Sequence, residues 1–153
     1  MTTPEPPPTV LVVRRLMPVP RERVFDAWLD PVSLAQWMRP GDEVTHVTVE
    51  VDPRVGGRFR MVFHGHGDVE HYGEYLTIEP PSLLSFTWLS ANTDHLPTIV
   101  TVELLERGDG TELVLTHRHL PAGRIDAHRK GWTEIVRKLE TMLLDNLRRR
   151  RRN

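Results

Sequence analysis

The C-terminal run from Arg124 to Arg150 is the feature that most restricts what this chain can fold into. Its core-type positions recur at the three- and four-residue spacing of one helical face over roughly seven turns. These positions are Ile125, His128, Trp132, Ile135, Val136, Leu139, Met142, Leu143 and Leu147. The charged positions predicted to meet water are Asp126, Arg129, Lys130, Glu134, Arg137, Lys138 and Glu140. So long a stripe needs an equally long partner, which we predict to be a curved sheet.

Strand-like patterns separated by short turns fill most of the chain before this helix. They predict one strand, then two short helices, then six further strands. The predicted ranges are, in order, 9–17, 21–29, 32–38, 43–51, 58–64, 69–78, 82–89, 98–106 and 111–119. Successive strands joined by short turns pair antiparallel. The fold class is therefore α+β: a curved six- to seven-stranded antiparallel sheet with two short helices and one long C-terminal helix, enclosing a cavity.

One domain is predicted over residues 9–148. The proline-rich, polar residues 1–8 predict a disordered N-terminal lead, and residues 149–153 form a basic tail. The five arginines from Arg148 to Arg152 are interpreted as a solvated helix end. Contact with RNA or another anionic surface is the alternative interpretation of this tail.

Composition excludes several function classes. The 153 residues include no cysteine, which excludes disulfides, thiolate nucleophiles and cysteine metal sites. A net charge of −1 argues against a dominant nucleic-acid partner. No apolar run reaches the roughly 20 residues of a membrane helix, and no signal-peptide pattern is present. We therefore predict a cytoplasmic monomer or homodimer without membrane insertion, nucleic acid or cofactor.

Several short strings, taken in order, resemble one known family. They are Pro20–Trp28, Leu34–Trp37, Val55–Phe59, Gly73–Tyr75, Ile78–Pro81, Ser85–Trp88, Gly110–Leu113, Thr116–His117, and His128 followed by Gly131–Trp132. Their order and spacing match over nearly the whole chain from Val10 to Leu147, and they resemble the heat-shock-protein-90 ATPase activator homologue family. The resemblance implies the helix-grip fold of the START and birch-pollen-allergen superfamily, called SRPBCC.

The resemblance also implies a mode of action. Members of that superfamily bind lipids, hormones or polyketides between sheet and helix, and some are cyclases or hydratases. The cochaperones that give the family its name carry an additional N-terminal domain that engages the chaperone. Because this sequence shows one domain, we expect cavity binding rather than chaperone activation. The family brings no universal catalytic set.

Side chains predicted to face the long helix form the candidate binding site. Apolar walls with a few polar tips are typical of small-molecule sites. The candidate ligand-binding residues are Trp37, Met38, Phe59, Met61, Phe63, Phe86, Trp88, His117, His128 and Trp132. Core packing is the simpler explanation of each residue taken alone. The cavity prediction therefore rests on the whole set and on the resemblance.

Three residues are candidates for acid–base catalysis. His117 continues the buried face of its strand and could meet His128 at the junction with the long helix, as a general base or to orient a carboxylate. A histidine that merely satisfies its own hydrogen bonds is the simpler interpretation of His117. Glu74, whose face the alternation does not assign, becomes an acid or base if it points inward. No serine lies in a nucleophile elbow.

A cluster around the glycine-rich turn of the 58–64 and 69–78 strands suggests a metal site. Its members are His64, His66, Asp68, Glu70 and His71. Three imidazoles there could converge on one ion. Flexible polar residues are nevertheless ordinary at hairpin tips, so we predict no metal.

These observations lead to one function and two alternatives. We predict binding of a small, largely apolar molecule, lipid-, polyketide- or aromatic-like, between the sheet and the long helix. The first alternative is an enzyme of the polyketide cyclase or hydratase type using His117, His128 or Glu74. The second is a cochaperone-like interaction module that uses the protein surface.

Overall fold

The computed structural model describes residues 10–152 as a seven-stranded antiparallel sheet with three α-helices. The elements are β1 Val10–Met17, α1 Arg21–Leu29, α2 Pro31–Trp37, β2 His46–Val51, β3 Arg58–His64, β4 Val69–Glu79, β5 Leu83–Trp88, β6 Thr98–Arg107, β7 Gly110–Arg118 and α3 Ile125–Arg152. Single 3-10 turns lie at Ala91–Thr93 and Ala122–Arg124. The α+β prediction is confirmed in order and type. The predicted lead, residues 1–8, lies outside the described residues.

The strand order places the first strand beside the last. It runs β1-β7-β6-β5-β4-β3-β2, with every neighbouring pair antiparallel. One irregularity lies in β4, where the register with β5 shifts between Tyr75 and Thr77. Close to it the backbone N–H of Glu74 donates to Oγ1 of Thr87 at 2.9 Å, instead of to a strand carbonyl. This bulge explains why simple alternation fails in β4.

The apolar stripe of α3 packs on the concave face of the sheet, as predicted. Its buried members are Trp132, Ile135, Val136, Leu139 and Leu143. Glu140, predicted to meet water, instead forms an ion pair with Arg15 on β1, with 2.6 Å between Oε2 and Nη2. Lys138 donates from Nζ to the carbonyl of Arg39 at 3.0 Å. These two polar contacts fasten the helix to the edge strand and to the loop after α2.

The first short helix spans the predicted residues, and the second begins and ends one residue earlier than predicted. Pro20 precedes α1, and the carboxylate of Asp30 accepts from the backbone N–H of Val32 at 3.0 Å, which caps α2. Pro31 occupies the first turn of α2, where a missing N–H costs nothing. Trp28 on α1 and Trp37 on α2 face the sheet with their ring centroids 4.7 Å apart. The two helices therefore place bulky side chains between α3 and the sheet.

The last turns of α3 contain the residues predicted as a basic tail. The helix continues through Arg152, and the side chains of Arg148, Arg149, Arg150 and Arg151 are exposed. No helix within residues 10–152 is long and apolar enough to span a membrane.

Candidate functional site

The middle of the layer between α3 and the sheet is packed solid. Five of the predicted ligand-binding side chains are less than 5% exposed there: Trp37, Met38, Phe59, Met61 and Phe86. Trp28, absent from the predicted set, fills the space between them, with its ring centroid 6.4 Å from those of both Phe86 and Trp132. These residues form core, and none of the five borders the open space described next.

A cleft of about 590 Å³ opens beside the first turns of α3. Its other sides are the loop after α2, strands β3 to β5 and the turn after β5. The residues that line it are Pro40, Gly41, Asp42, Glu43, Phe63, His71, Trp88, Asn92, Ala127, His128, Lys130, Gly131, Trp132, Glu134, Ile135 and Arg137. Four of these belong to the predicted ligand-binding set: Phe63, Trp88, His128 and Trp132. The structure therefore gathers these four around one opening.

His117 lies behind the cleft wall in a closed chain of hydrogen bonds. Trp132 donates from Nε1 to its Nδ1 at 3.0 Å, so Nδ1 carries the lone pair. The ring proton therefore sits on Nε2, which donates to Oγ1 of Thr98 at 2.7 Å. Thr98 in turn donates to the carbonyl of Trp88 at 2.6 Å. The chain fixes the tautomer of His117 and braces two cleft walls, Trp132 and Trp88.

This bonding leaves His117 without a free nitrogen. The side chain is fully buried, and burial lowers its pKa to about 3, with the neighbouring His128 acting in the same direction. Before His117 could take a proton from a substrate, its bond from Trp132 would have to break. The simpler interpretation, a satisfied core histidine, describes this geometry.

His128 borders the cleft, and among residues 10–152 its Nε2 has no hydrogen-bond partner. It is half-buried on the first turn of α3, and its Nδ1 lies 2.8 Å from the carbonyl oxygen of Arg124. Burial and the charge of Arg124 lower its pKa, although the bond to the carbonyl opposes them. Its ring meets that of His117 edge to face at 5.3 Å between centroids.

His71 lines the cleft, although its position in the sequence groups it with the hairpin residues of the candidate metal cluster. Its ring is 3% exposed and lies between Phe63 and Trp88, with centroids at 4.1 and 4.7 Å. Among residues 10–152, Nδ1 has no hydrogen-bond partner, although the backbone of Met61 and Val69 lies close enough to raise the pKa of the ring. Burial lowers its pKa to about 4, so the ring is neutral at pH 7. One sequence signal for this position was available. His71 lies four residues before Tyr75, and this even spacing places both side chains on the inner face of β4.

The remaining members of the proposed metal cluster lie apart from His71. His64 stacks on His46 at 4.3 Å, and its nitrogens contact Asp68 and Thr48. Glu70 bonds Arg60 and Tyr72 on the outer side of the sheet. Within residues 10–152, no three His, Cys, Asp or Glu side chains are gathered in a way that could hold a metal ion.

Glu74, the third catalytic candidate, lies on the outer face of the sheet. It pairs across the ladder with the exposed Arg58, while Tyr75 beside it points into the core. It lines an open hollow of about 700 Å³ on that outer face together with Arg58, Arg60 and Tyr72. It therefore shares no space with the cleft histidines.

Comparison with known proteins gives the family. The sequence model described as "Activator of Hsp90 ATPase homolog 1-like protein" matches residues 18–144. The chain belongs to this family. The resemblance drawn from the short strings is confirmed, and with it membership of the SRPBCC superfamily. No curated protein matches the sequence.

Solved structures support the same assignment. Protein CV1439 from Chromobacterium violaceum is 25% identical with a TM-score of 0.77, over 89% of this chain and 98% of that chain. Protein MLL2253 from Mesorhizobium loti is 28% identical with a TM-score of 0.70, over 90% and 97%. PFC0360w from Plasmodium falciparum, described as an HSP90 activator, is 26% identical with a TM-score of 0.71, over 88% and 95%.

Proposed function

We propose that this protein binds a small, largely apolar molecule in the cleft beside the first turns of α3. The observation that carries the proposal is an opening of about 590 Å³ lined by Phe63, Trp88 and Trp132, with the buried His71 and the half-buried His128 also in its lining. Cavities of about 300–1,000 Å³ with aromatic walls and a few polar groups are typical of small-molecule sites. The site lies at the end of the sheet–helix layer and not in its middle.

Binding would act by enclosure. Each square ångström of apolar ligand surface removed from water contributes about 25 cal/mol. Phe63, Trp88 and Trp132 are each less than 7% exposed, so they meet the ligand with only a small part of their surface. The histidines fix orientation, because a ligand group that bonds them replaces water there. The loop containing Pro40 and Gly41 forms the opposite rim and closes over one side of the ligand.

A blocking substitution tests the proposal. Gly131 borders the cleft, and a Cβ there would lie 3.3 Å from Cβ of Pro40. The leucine side chain of Gly131→Leu should fill the opening and reduce affinity for the neutral probe 2-methoxynaphthalene at least about tenfold by isothermal titration calorimetry.

Gly123→Leu is the matched control, since nothing lies within 4 Å of a Cβ at Gly123. It should bind as the parent chain does. Native mass spectrometry of protein purified from its own host should also reveal a bound small molecule. Failure of the parent chain to bind any neutral aromatic probe, with no copurified molecule, would overturn the proposal.

Two other functions each have one supporting observation. The family description and the Plasmodium falciparum neighbour favour chaperone interaction, which a pull-down of the host's heat-shock-protein-90 homologue by this protein would test. The nitrogen of His128 that remains unbonded favours a cyclase- or hydratase-type enzyme, in which it would act as general base. His128→Phe should then abolish turnover while ligand binding persists. For all three functions we propose a cytoplasmic location.

A further inference from the structure

The hydrogen bonding of His128 determines which of its nitrogens can accept. A backbone carbonyl only accepts hydrogen bonds, so Nδ1, 2.8 Å from the carbonyl of Arg124, must carry the ring proton. The neutral ring then has its lone pair on Nε2. Among residues 10–152, no hydrogen bond to that nitrogen is present, and the ring borders the cleft. The cleft therefore contains a hydrogen-bond acceptor, Nε2 of His128, that a donor group of a ligand can satisfy.

His71 adds a second unsatisfied group at the same place. Its ring is buried between Phe63 and Trp88, and Nδ1 has no hydrogen-bond partner in the described part of the chain. Leaving such a group unpaired costs about 1–3 kcal/mol. The backbone of Met61 and Val69 lies close enough to the ring to raise its pKa against the effect of burial, so His71 adds a polar group to the cleft lining without a fixed role toward the ligand.

Charge around the cleft does not favour an anion. Its rim carries the carboxylates of Asp42, Glu43 and Glu134 against the cations of Lys130 and Arg137. Arg137 is already bonded to Glu134 at 2.9 Å. Neither histidine brings a positive charge, because burial lowers the pKa of both rings. An entering carboxylate would present lone pairs to the lone pair of His128.

We propose that the cleft selects neutral, hydroxyl-bearing aromatic molecules, whose O–H donates to Nε2 of His128 while the rings lie against Trp88 and Trp132. This inference rests on the proposed binding function and names the class of ligand. A hydroxyl suits the site because it can donate to the lone pair on Nε2 of His128 and can accept a further hydrogen bond. A carboxylate lacks the donor at neutral pH, and a methyl ether lacks it at any pH.

Three probes of matched size separate these chemistries. They are 2-naphthol, 2-methoxynaphthalene and 2-naphthoate, measured by isothermal titration calorimetry at neutral pH, where a phenol keeps its proton. The O–H of 2-naphthol should give it about a tenfold advantage over the methyl ether. The naphthoate should bind more weakly than both neutral probes.

Substitution of the acceptor tests the role of His128. In His128→Phe the ring area is retained and the lone pair is lost, so 2-naphthol and 2-methoxynaphthalene should bind equally. His66→Phe, at the exposed tip between β3 and β4, is the matched control and should keep the tenfold preference. If His128→Phe does not fold, ¹⁵N NMR of the parent chain gives the same information. The Nε2 resonance of His128 should shift on addition of 2-naphthol and not of the ether.

The outcomes separate the two proposals. Equal affinity for naphthol and ether in the parent chain, tighter binding of naphthoate, a preference that survives in His128→Phe, or an unmoved Nε2 resonance would each overturn the hydroxyl inference. Each of these leaves the binding function standing, since a probe has bound. Only the failure of all three probes removes both.

Discussion

The packed middle and the open end of the layer beneath α3 use the same helix and the same sheet, yet one is core and the other a cleft. In the middle, Trp28 and Trp37 extend from α1 and α2 into the layer and interlock with Phe59 and Phe86. At the open end, among the described residues, no side chain from α1 or α2 lines the space between α3 and the sheet. A loop with Pro40 and Gly41 takes the place of a helix, and α3 presents Gly131 there.

This contrast shows that the cleft exists because bulk is missing at one place. Where the short helices supply two indoles, the layer closes. Where the cover is a proline–glycine loop and a glycine, it stays open. The polar groups do not follow this division. Trp37 donates its indole N–H to Ser33, but among the described residues Nε1 of Trp28 in the packed middle is buried without a partner. The same is true of Nδ1 of His71. Because the two ends differ in packing, substitutions there should affect different properties.

The largest effect is expected from removing an indole of the packed middle. Trp37→Ala deletes a fully buried side chain, and such truncations cost about 3–5 kcal/mol because a cavity remains. Urea unfolding should show a decrease of that size in the free energy of unfolding. Val32→Ala, on the same helix but 68% exposed, should change it by less than about 0.5 kcal/mol. Equal effects would contradict the description of this region as core.

A smaller effect is expected from protonating the buried histidines behind and beneath the cleft. Burial lowers the pKa of His117 to about 3 and of His71 to about 4, and the lowered pKa of His128 acts in the same direction. An unfolded histidine titrates near about 6.5, so below that value the unfolded chain binds more protons than the folded one. The free energy of unfolding should therefore fall by about 2 kcal/mol for each of His117 and His71 between about pH 7 and about pH 5.

His117→Gln isolates the contribution of one ring. Glutamine can accept from Trp132 and donate to Thr98, but it cannot be protonated in this range. Urea unfolding at a series of pH values should show that the variant loses about 2 kcal/mol less than the parent chain on acidification. An unchanged pH dependence would exclude His117 as a source of the acid sensitivity.

The smallest change in stability is expected at the open end. Gly131→Ala gains about 1 kcal/mol of helix propensity, against a Cβ contact of 3.3 Å that moves Pro40 by a few tenths of an ångström. The free energy of unfolding should change by less than about 1 kcal/mol. Affinity for 2-methoxynaphthalene should fall a few-fold, whereas Gly123→Ala should leave it unaltered. A large loss of stability without a change in binding would reverse the contrast between the two ends.

The architecture was accessible from the sequence because periodicity reports directly on faces. The stripe of α3 and the alternation of Phe59, Met61 and Phe63 on β3 identify the sides that the structure buries. Glu140 is an exception to this periodicity. It pairs with Arg15, which lies 125 residues away in the sequence, and such a long-range contact leaves no local pattern. The face of Glu74 stayed open in the sequence because Tyr72 and Tyr75, three residues apart, are both aromatic. In the structure Tyr72 is 39% exposed and Tyr75 is buried, and the bulge lies beyond both.

The site was harder to predict from the sequence than the fold. A hydrophobic pattern shows which face a side chain lies on, but it does not show how deeply that side chain is buried. Trp37 and Phe63 both point into the layer, and only the packing of Trp28 decides that the first is core while the second borders the cleft. His71 was grouped with the hairpin histidines because it is near them in sequence. Its neighbours in space, Phe63 and Trp88, come from two other strands.

The bond from the indole of Trp132 to His117 has a consequence for solvent exchange. Its proton lies in a fully occupied chain beneath the first turns of α3, so deuterium can replace it only when those turns lift away from β7. The exchange rate of this single indole proton therefore measures how often the end of the helix over the cleft opens. A ligand that holds the opening shut should slow that exchange in proportion to its occupancy.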